Sequence, residues 1–343
     1  MPKKIAALAA ALLACCWALP VAAQDAGAQF YRGKTVTIVV GSTAGGGYDT
    51  YARLLGRYLG KHIAGEPTVI VSDMPGAGGD TTAAYVANVA SKDGTYIAAP
   101  TSTVPLDPVL HEVQSFDARR ANYLGTPNSD VYLCVVRSGA PATTFDDMFK
   151  TQVIIGGAAA DGTSGYLPIM LSNVLGVKFK VVFGYTGSRE MTMAIEKAEV
   201  DGMCGLSFNS LKSQYEDLLK NGEIKIVAQE NEKGLPELNK KGVPLTVSYV
   251  HDEQQRRILE IIYSQEKFAH PYFVPAEVPA DRLQMLRRAF METLRDPDLL
   301  ADAAKMNLDV DPMSGEEVQS LVQKIYASPP SLLQSVREAI KRK

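Results

Sequence analysis

Thr35-Val-Thr-Ile-Val-Val-Gly-Ser-Thr-Ala-Gly-Gly-Gly-Tyr-Asp49 is the stretch on which the reading of this chain turns. Thr35 to Val40 is a continuous apolar and β-branched run, the pattern of a strand covered on both faces. Glycines break the run, and a helix follows whose apolar stripe is Tyr51, Leu54, Leu55, Tyr58, Leu59 and Ile63. Asp49 stands where it is expected to cap that helix. A glycine-rich turn between strand and helix leaves backbone N–H groups free at the positive end of the helix dipole, an arrangement suited to a small anion.

Outward from this turn the alternation continues. Thr68 to Val71 reads as a strand, Pro75-Gly-Ala-Gly-Gly79 as a second glycine turn, Asp80 or Thr81 as a cap, and Ala83 to Ala90 as a helix. Asp93-Gly94 turns the chain into the strand Tyr96 to Ala99, which completes a βαβαβ unit. A second such series begins near Val131, with strands at Val131 to Val136, Val153 to Gly156, Lys180 to Phe183, Asp201 to Cys204 and Ile224 to Ala228. Between them lie the polar turns Ala160-Asp-Gly-Thr-Ser-Gly165 and Gly184-Tyr-Thr-Gly-Ser188, each followed by a helical stretch. The end of the chain is helical, with Ser314 and Glu317 spaced as a capping box. This pattern predicts an α/β protein of mostly parallel sheets flanked by helices. About 320 residues beyond the leader exceed what one core usually serves, so two domains are expected.

The leader is read from Lys3 and Lys4, the apolar run Ile5 to Leu19 and the small residues Val21-Ala22-Ala23, which together form an export signal expected to be cleaved after Ala23. Its apolar run is shorter than the roughly 20 residues of a membrane span. A periplasmic location follows as the expectation. The formal charge of −3 becomes −5 once Lys3 and Lys4 are removed. Mild acidity disfavours nucleic acid and anionic membrane surfaces as partners. Cys15 and Cys16 leave with the signal, and for Cys134 and Cys204 a disulfide and two buried thiols both fit the sequence.

Enzyme motifs fail one by one. From Gly45 and Gly47, the third glycine of a dinucleotide fingerprint falls on Thr50. In a P-loop count from Gly41, the lysine position is Gly47. Ser164 follows Gly162 but is trailed by Tyr166, and Ser207 follows Gly205 but is trailed by Asn209, so neither sits in a hydrolase elbow. His62, His111, His251 and His270 are scattered and form no zinc spacing. No catalytic residue, cofactor or metal is expected.

The order Thr43-Ala-Gly-Gly-Gly-Tyr-Asp49, Ala52-Arg-Leu-Leu55, Val69-Ile-Val-Ser-Asp-Met-Pro-Gly-Ala-Gly-Gly79 and Asp93-Gly-Thr-Tyr96 resembles the periplasmic receptors of tripartite tricarboxylate transporters, the Bug proteins. Tyr185-Thr-Gly-Ser188, Glu199-Val-Asp-Gly202, Val274-Pro-Ala276, Asp296-Pro297 and Ser314-Gly-Glu-Glu317 extend the resemblance over the mature chain. It implies a type II periplasmic binding protein, not an enzyme, that closes two domains on a small organic acid and delivers it to multispanning permease subunits. It implies ligand contacts at Ser42, Thr43, Ala44, Gly45, Gly46, Gly47 and Asp49, facing Asp161, Gly162, Thr163 and Ser164.

Thr101, Ser102 and the stretch Ser207 to Ser210 follow strand ends where such clefts open, and Thr101, Ser102, Ser207 and Asn209 join the candidate set. Tyr48 stands where the family has a small residue, and is expected to narrow the pocket, stack on a ligand or pack on its own helix. Arg189 is a candidate for a distal carboxylate or for a salt bridge with Glu190. The expected domains are 24–126 with 271–343, and 127–270, in a monomer. The rival readings are a periplasmic hydrolase and a sensor-coupled binding protein on the same fold.

Overall fold

The computed structural model describes residues 28–110, 116–160 and 162–342. The export segment with its cleavage after Ala23, His111 and Asp161 lie outside the described residues. In chain order the first strands are β1 (Thr35–Val40), β2 (Thr68–Asp73), β3 (Tyr96–Ala99), β4 (Asn122–Thr126), β5 (Tyr132–Arg137) and β6 (Val153–Gly157). They are followed by β7 (Phe179–Phe183), β8 (Gly202–Ser207), β9 (Ile224–Glu230), β10 (Tyr272–Val274) and β11 (Met313–Ser314). One sheet has the order β11-β4-β10-β3-β1-β2 and the other β7-β6-β8-β5-β9.

Parallel pairing joins β1 to β2 and β3, and β6 to β7 and β8, where helical crossovers connect the strands. Both sheets are mixed, however, rather than mostly parallel. β10 runs antiparallel to β3 and β4, and β5 runs antiparallel to β8 and β9. The reason is connectivity: β5 and β10 are the first strands after the chain changes sheet, and no βαβ crossover sets their direction. The two connecting segments touch. Asp130 N–H donates to the Glu266 carbonyl at 2.9 Å, and His270 N–H donates to Thr126 Oγ1 at 3.2 Å.

The main helices are α1 (Gly47–His62), α2 (Asp80–Asn88), α3 (Thr163–Met170), α4 (Ser188–Glu196), α5 (Phe208–Gln214) and α6 (Glu253–Tyr263). After them come α7 (Ala280–Thr293), α8 (Pro297–Lys305), α9 (Gly315–Tyr326) and α10 (Pro330–Ile340). α1 buries Tyr51, Leu54, Leu55 and Leu59 in one core with Met285, Leu286 and Phe290 of α7. The capping box read at Ser314 and Glu317 is present at the start of α9. Asp49 does not occupy the cap. Gly46 is the N-cap, α1 begins two residues before Asp49, and the carboxylate instead reaches back to the Gly45 N–H at 2.7 Å while pairing with Arg53 at 2.7 Å.

The last helix is shared. α10 packs on α6 and α3 beside the second sheet and on the short helix Asp107–Leu110 beside the first. Asn173 Nδ2 donates to the carbonyls of Ala339 and Lys341 at its end. Cys134 of β5 and Cys204 of β8 form a disulfide, which resolves the two readings left open by the sequence.

Candidate functional site

Between the two sheets lies a cavity of about 400 Å³. Its lining comes from the turns that end the strands: Gly41 to Thr43 and Gly46 to Tyr48, Pro75 to Gly79, Thr101, Gly162 to Ser164, Tyr185 to Ser188, and Gly205 to Ser207 with Ser210. Ligand-sized clefts of α/β sheets open at such strand ends. Five helices, α1, α2, α3, α4 and α5, therefore begin at its wall.

Backbone packing explains the glycines. Gly79 sits at φ +109°, and a Cβ there would stand 2.9 Å from the Thr101 backbone nitrogen. A Cβ on Gly41 would stand 3.0 Å from Gly79 Cα and 3.1 Å from Pro100 Cα. Three turns thus meet main chain against main chain, which brings their N–H groups close to the cavity. Among the described residues, the first-turn N–H groups of Gly47, Tyr48, Thr163 and Ser164 donate to no protein acceptor. Ser164 Oγ accepts from Ala158 N–H at 3.1 Å, so its own O–H remains available. These groups can hold a carboxylate by charge-assisted hydrogen bonds at two opposed helix N-termini.

No lysine or arginine is among the described lining residues; the ionisable side chains there are Asp130, His270 and tyrosines. Asp130 is 7 % exposed. Its Oδ1 accepts from Val131 N–H at 2.8 Å and Asn209 N–H at 3.4 Å, and its Oδ2 accepts from Ser207 Oγ. Burial pushes its pKa up, and the same donors work against that rise. His270 is buried and neutral, its pKa driven down to about 3 by desolvation. Its tautomer follows from Asn128. That amide donates Nδ2 to the Ser129 carbonyl at 3.0 Å, so Asn128 Oδ1 accepts from His270 Nδ1–H at 2.8 Å, and Nε2 carries the free lone pair.

Of the residues singled out in the sequence, Ser42, Thr43, Gly46, Gly47, Tyr48, Thr101, Gly162, Thr163, Ser164 and Ser207 line the cavity. Ala44, Gly45, Asp49, Ser102, Arg189 and Asn209 do not. Each has a physical reason. Ala44 and Gly45 form the outer bend of their turn, with Gly45 N–H turned back to Asp49. Asp49 is committed to Arg53, whose guanidinium also reaches Asp73. Burial opposes ionisation of Asp49, but Arg53 and the Gly45 N–H outweigh it and hold its pKa down.

Ser102 is fully buried below the cavity, bonded to the hydroxyls of Tyr48 and Tyr132 at 3.1 and 2.8 Å. Asn209 is buried at the start of α5, and Arg189 is exposed on the outer face of α4. Tyr48 contributes its ring, which tilts against His270 with centroids 4.8 Å apart, while its hydroxyl is tied to Ser102. Ser207 Oγ is spent as well, donating to Asp130 and accepting from Ser210 N–H at 3.1 Å.

Ser210, at the end of the stretch read from Ser207, lines it too, and the lining adds Asp130, Tyr132, Ala158, Ala159, Met191, Leu206, Ala269 and His270, none of them marked by a motif. The Pro75–Gly79 and Tyr185–Ser188 turns, noticed only as motifs, are also cavity walls. A second cleft of about 430 Å³ runs between Lys212 and Glu216 on one side and Leu300 to Val310 on the other. It carries no converging helix N-termini, and Lys212 is paired with Asp309 at 2.7 Å across it.

No protein-family model matches the chain, and no curated protein sequence matches it. Solved structures do. The periplasmic binding protein BugD is 21 % identical, superposes with a TM-score of 0.68, and the match covers 90 % of this chain and 98 % of BugD. MatC from Rhodopseudomonas palustris, with bound malate, is 18 % identical with a TM-score of 0.67 over 90 % of this chain and 99 % of its own. Rpa4515 of R. palustris, with adipate, is 19 % identical with a TM-score of 0.68 over 90 % and 97 %. Two mixed sheets facing one cavity, matched over nearly the full length of these structures, give the chain the fold of the Bug- and TctC-type periplasmic binding proteins.

Proposed function

We propose that this protein is an extracytoplasmic solute-binding receptor of the Bug kind, which captures a small organic acid between two domains and passes it to a multispanning permease. The observation that carries this reading is the glycine-walled cavity, where the starts of α1 and α3 bring N–H groups that have no acceptor among the described residues, and where no described lining residue is basic. Such a site stabilises a carboxylate by dipoles and hydrogen bonds and releases it without breaking a buried ion pair. The malate and adipate in two similar structures support the ligand class. The periplasmic neighbours and the basic-apolar-small leader support an exported protein, which we assign as cut after Ala23 and as a monomer. The domains we assign are 24–126 with 271–343, and 127–270, with α10 bridging them.

What counts against a hydrolase is the state of the groups it would need. Ser210 Oγ and His270 Nε2 both approach Gly47, but they share no hydrogen bond, and an imidazole with a pKa near 3 is a weak base. The experiment is a thermal-shift screen of the refolded mature protein against mono-, di- and tricarboxylates and amino acids. Refolding removes any acid carried through purification. An acid present at a hundredfold its Kd stabilises the native state by about 2.7 kcal/mol. The shift should be saturable and should shrink in the Thr163→Ala, Ser164→Ala double variant, which removes the hydroxyls and keeps the main-chain N–H donors. No shift with any acid would refute the receptor reading.

A further inference from the structure

The cavity wall carries two chemically different sets of groups, and their difference defines the ligand more narrowly than a carboxylate. One set is donors, the N–H groups of Gly47, Tyr48, Thr163 and Ser164, which have no acceptor among the described residues, and the Ser164 hydroxyl. The other is built by the two segments that connect the sheets, and it offers acceptors. There Asp130 presents a carboxylate that is more than nine-tenths buried, and His270 presents the lone pair of Nε2. Oδ2 of Asp130 accepts from Ser207 Oγ, and hydrogen bonds from Ser207, Val131 and Asn209 favour the charged form of the carboxylate against its burial.

A second carboxylate on a ligand would meet these acceptors without a cation to receive it. Lysine and arginine are absent from the described lining, and His270 remains neutral. Like charges held together in a desolvated site repel strongly, and a binding site that places one against a competitor rejects it. A positively charged donor at the same place would be paired and hydrogen-bonded.

Resting on the receptor reading above, we propose that the ligand is an aminocarboxylate zwitterion, whose carboxylate is held at the helix N-termini and whose ammonium group is held by Asp130 with His270 Nε2 as a second acceptor. Asp130 is then the residue that sets specificity. Ser207 serves as a positioning residue, since both its hydrogen bonds fix the Asp130 carboxylate and the start of α5. The dicarboxylates seen in similar structures, malate and adipate, are disfavoured here.

The test compares matched pairs by calorimetry on the refolded mature protein: alanine with propionate, 4-aminobutyrate with butyrate, aspartate with succinate, and glutamate with glutarate, alongside malate and adipate. At least one amino acid should bind more tightly than its des-amino partner by roughly thirtyfold or more, the effect of losing one member of a buried charged pair. In Asp130→Asn that ratio should collapse toward one, through weaker binding of the amino acid and unchanged or tighter binding of the des-amino acid.

A purely structural role for Asp130, capping α5, would weaken both members of the pair equally and leave the ratio unmoved; that result overturns the proposal. So does equal or tighter binding of the dicarboxylates by the native protein. The des-amino acid also reports on whether Asp130→Asn is folded, and Asp130→Glu provides a charged control expected to retain part of the preference. Binding of no acid at all, amino or otherwise, would overturn the receptor reading and this inference with it. Binding of des-amino acids alone would overturn only the inference.

Discussion

Glu230 ends β9 fully buried, where its Oε2 accepts the Gly205 N–H at 2.6 Å and its Oε1 has no partner among the described residues. Burial pushes its pKa up to about 8, and the Gly205 hydrogen bond only partly offsets this. A carboxyl whose pKa is higher folded than unfolded binds its proton more tightly in the native state. Its contribution is complete below the unfolded value of about 4.5 and is lost as pH rises through 8. Buried Glu266 shifts in the same direction, through desolvation first and then the nearby Glu230 and Asp130 charges. Thermal stability should therefore fall between pH 5 and 8.5. In Glu230→Gln, whose amide oxygen can still accept the Gly205 N–H, the slope should flatten by roughly 2–4 kcal/mol at pH 8. Parallel pH profiles of the two proteins would refute this assignment.

Residues of this kind were not legible in the sequence. Nothing in the spacing around Asp130, Glu230 or His270 distinguishes them from surface polar residues. Their burial depends on two connecting segments, remote in sequence, lying side by side. Ser102 and Asn209 show the opposite failure. Each follows a strand end as a site residue should, but its side chain turns into the interior, an outcome set by packing with Tyr132 and Asp130.

The glycine turns belong to the scale of elements, and they were the legible part of the site. A backbone that must pass within van der Waals contact of another backbone excludes side chains, and that exclusion is written directly as glycine. Gly79→Ala should cost about 1–3 kcal/mol, because φ is +109° and the added Cβ would press on the Thr101 nitrogen. Denaturant unfolding measures the loss, and acid binding should weaken in parallel as the floor shifts. Stability equal to that of the native protein would show that the turn is not strained as described.

Regular elements were legible wherever their own periodicity was strong. β3 matches its expected span, and the stripe of α1 is buried as read, with Tyr58 only partly covered. Less visible were β4, β10 and β11, which are short and pair antiparallel with distant segments, so they lack a local signature. α6 did carry a signal, in Ile258, Leu259, Ile261 and Ile262, that a closer reading would have found. The Cys134–Cys204 bond was undecidable from spacing, since 70 residues separate the two. Closing a loop of that length removes about 4 kcal/mol of unfolded-state entropy in the chain-entropy account, a sizeable share of a domain's stability.

At the scale of the molecule, the two sheets meet through the paired connecting segments, the shared helix α10, the buried Ser102–Tyr132 hydrogen bond, a common apolar core and contacts across the cavity mouth. A Cβ on Gly47 would lie 3.2 Å from Ser210 Oγ and 3.8 Å from His270 Nε2, so α1 already approaches the opposite wall. Lys212 and Asp309 pair across the outer cleft, but both are partly exposed and contribute at most about 1 kcal/mol.

The most direct measurement is a crystal structure of the refolded protein grown with the acid that gives the largest thermal shift. The account predicts one ligand between the sheets, its carboxylate oxygens about 2.7–3.1 Å from main-chain N–H groups of Gly47 or Tyr48 and of Thr163 or Ser164. A ligand seated instead in the outer cleft beside Lys212, or bound in the cavity with its carboxylate turned away from those helix N-termini, would contradict it.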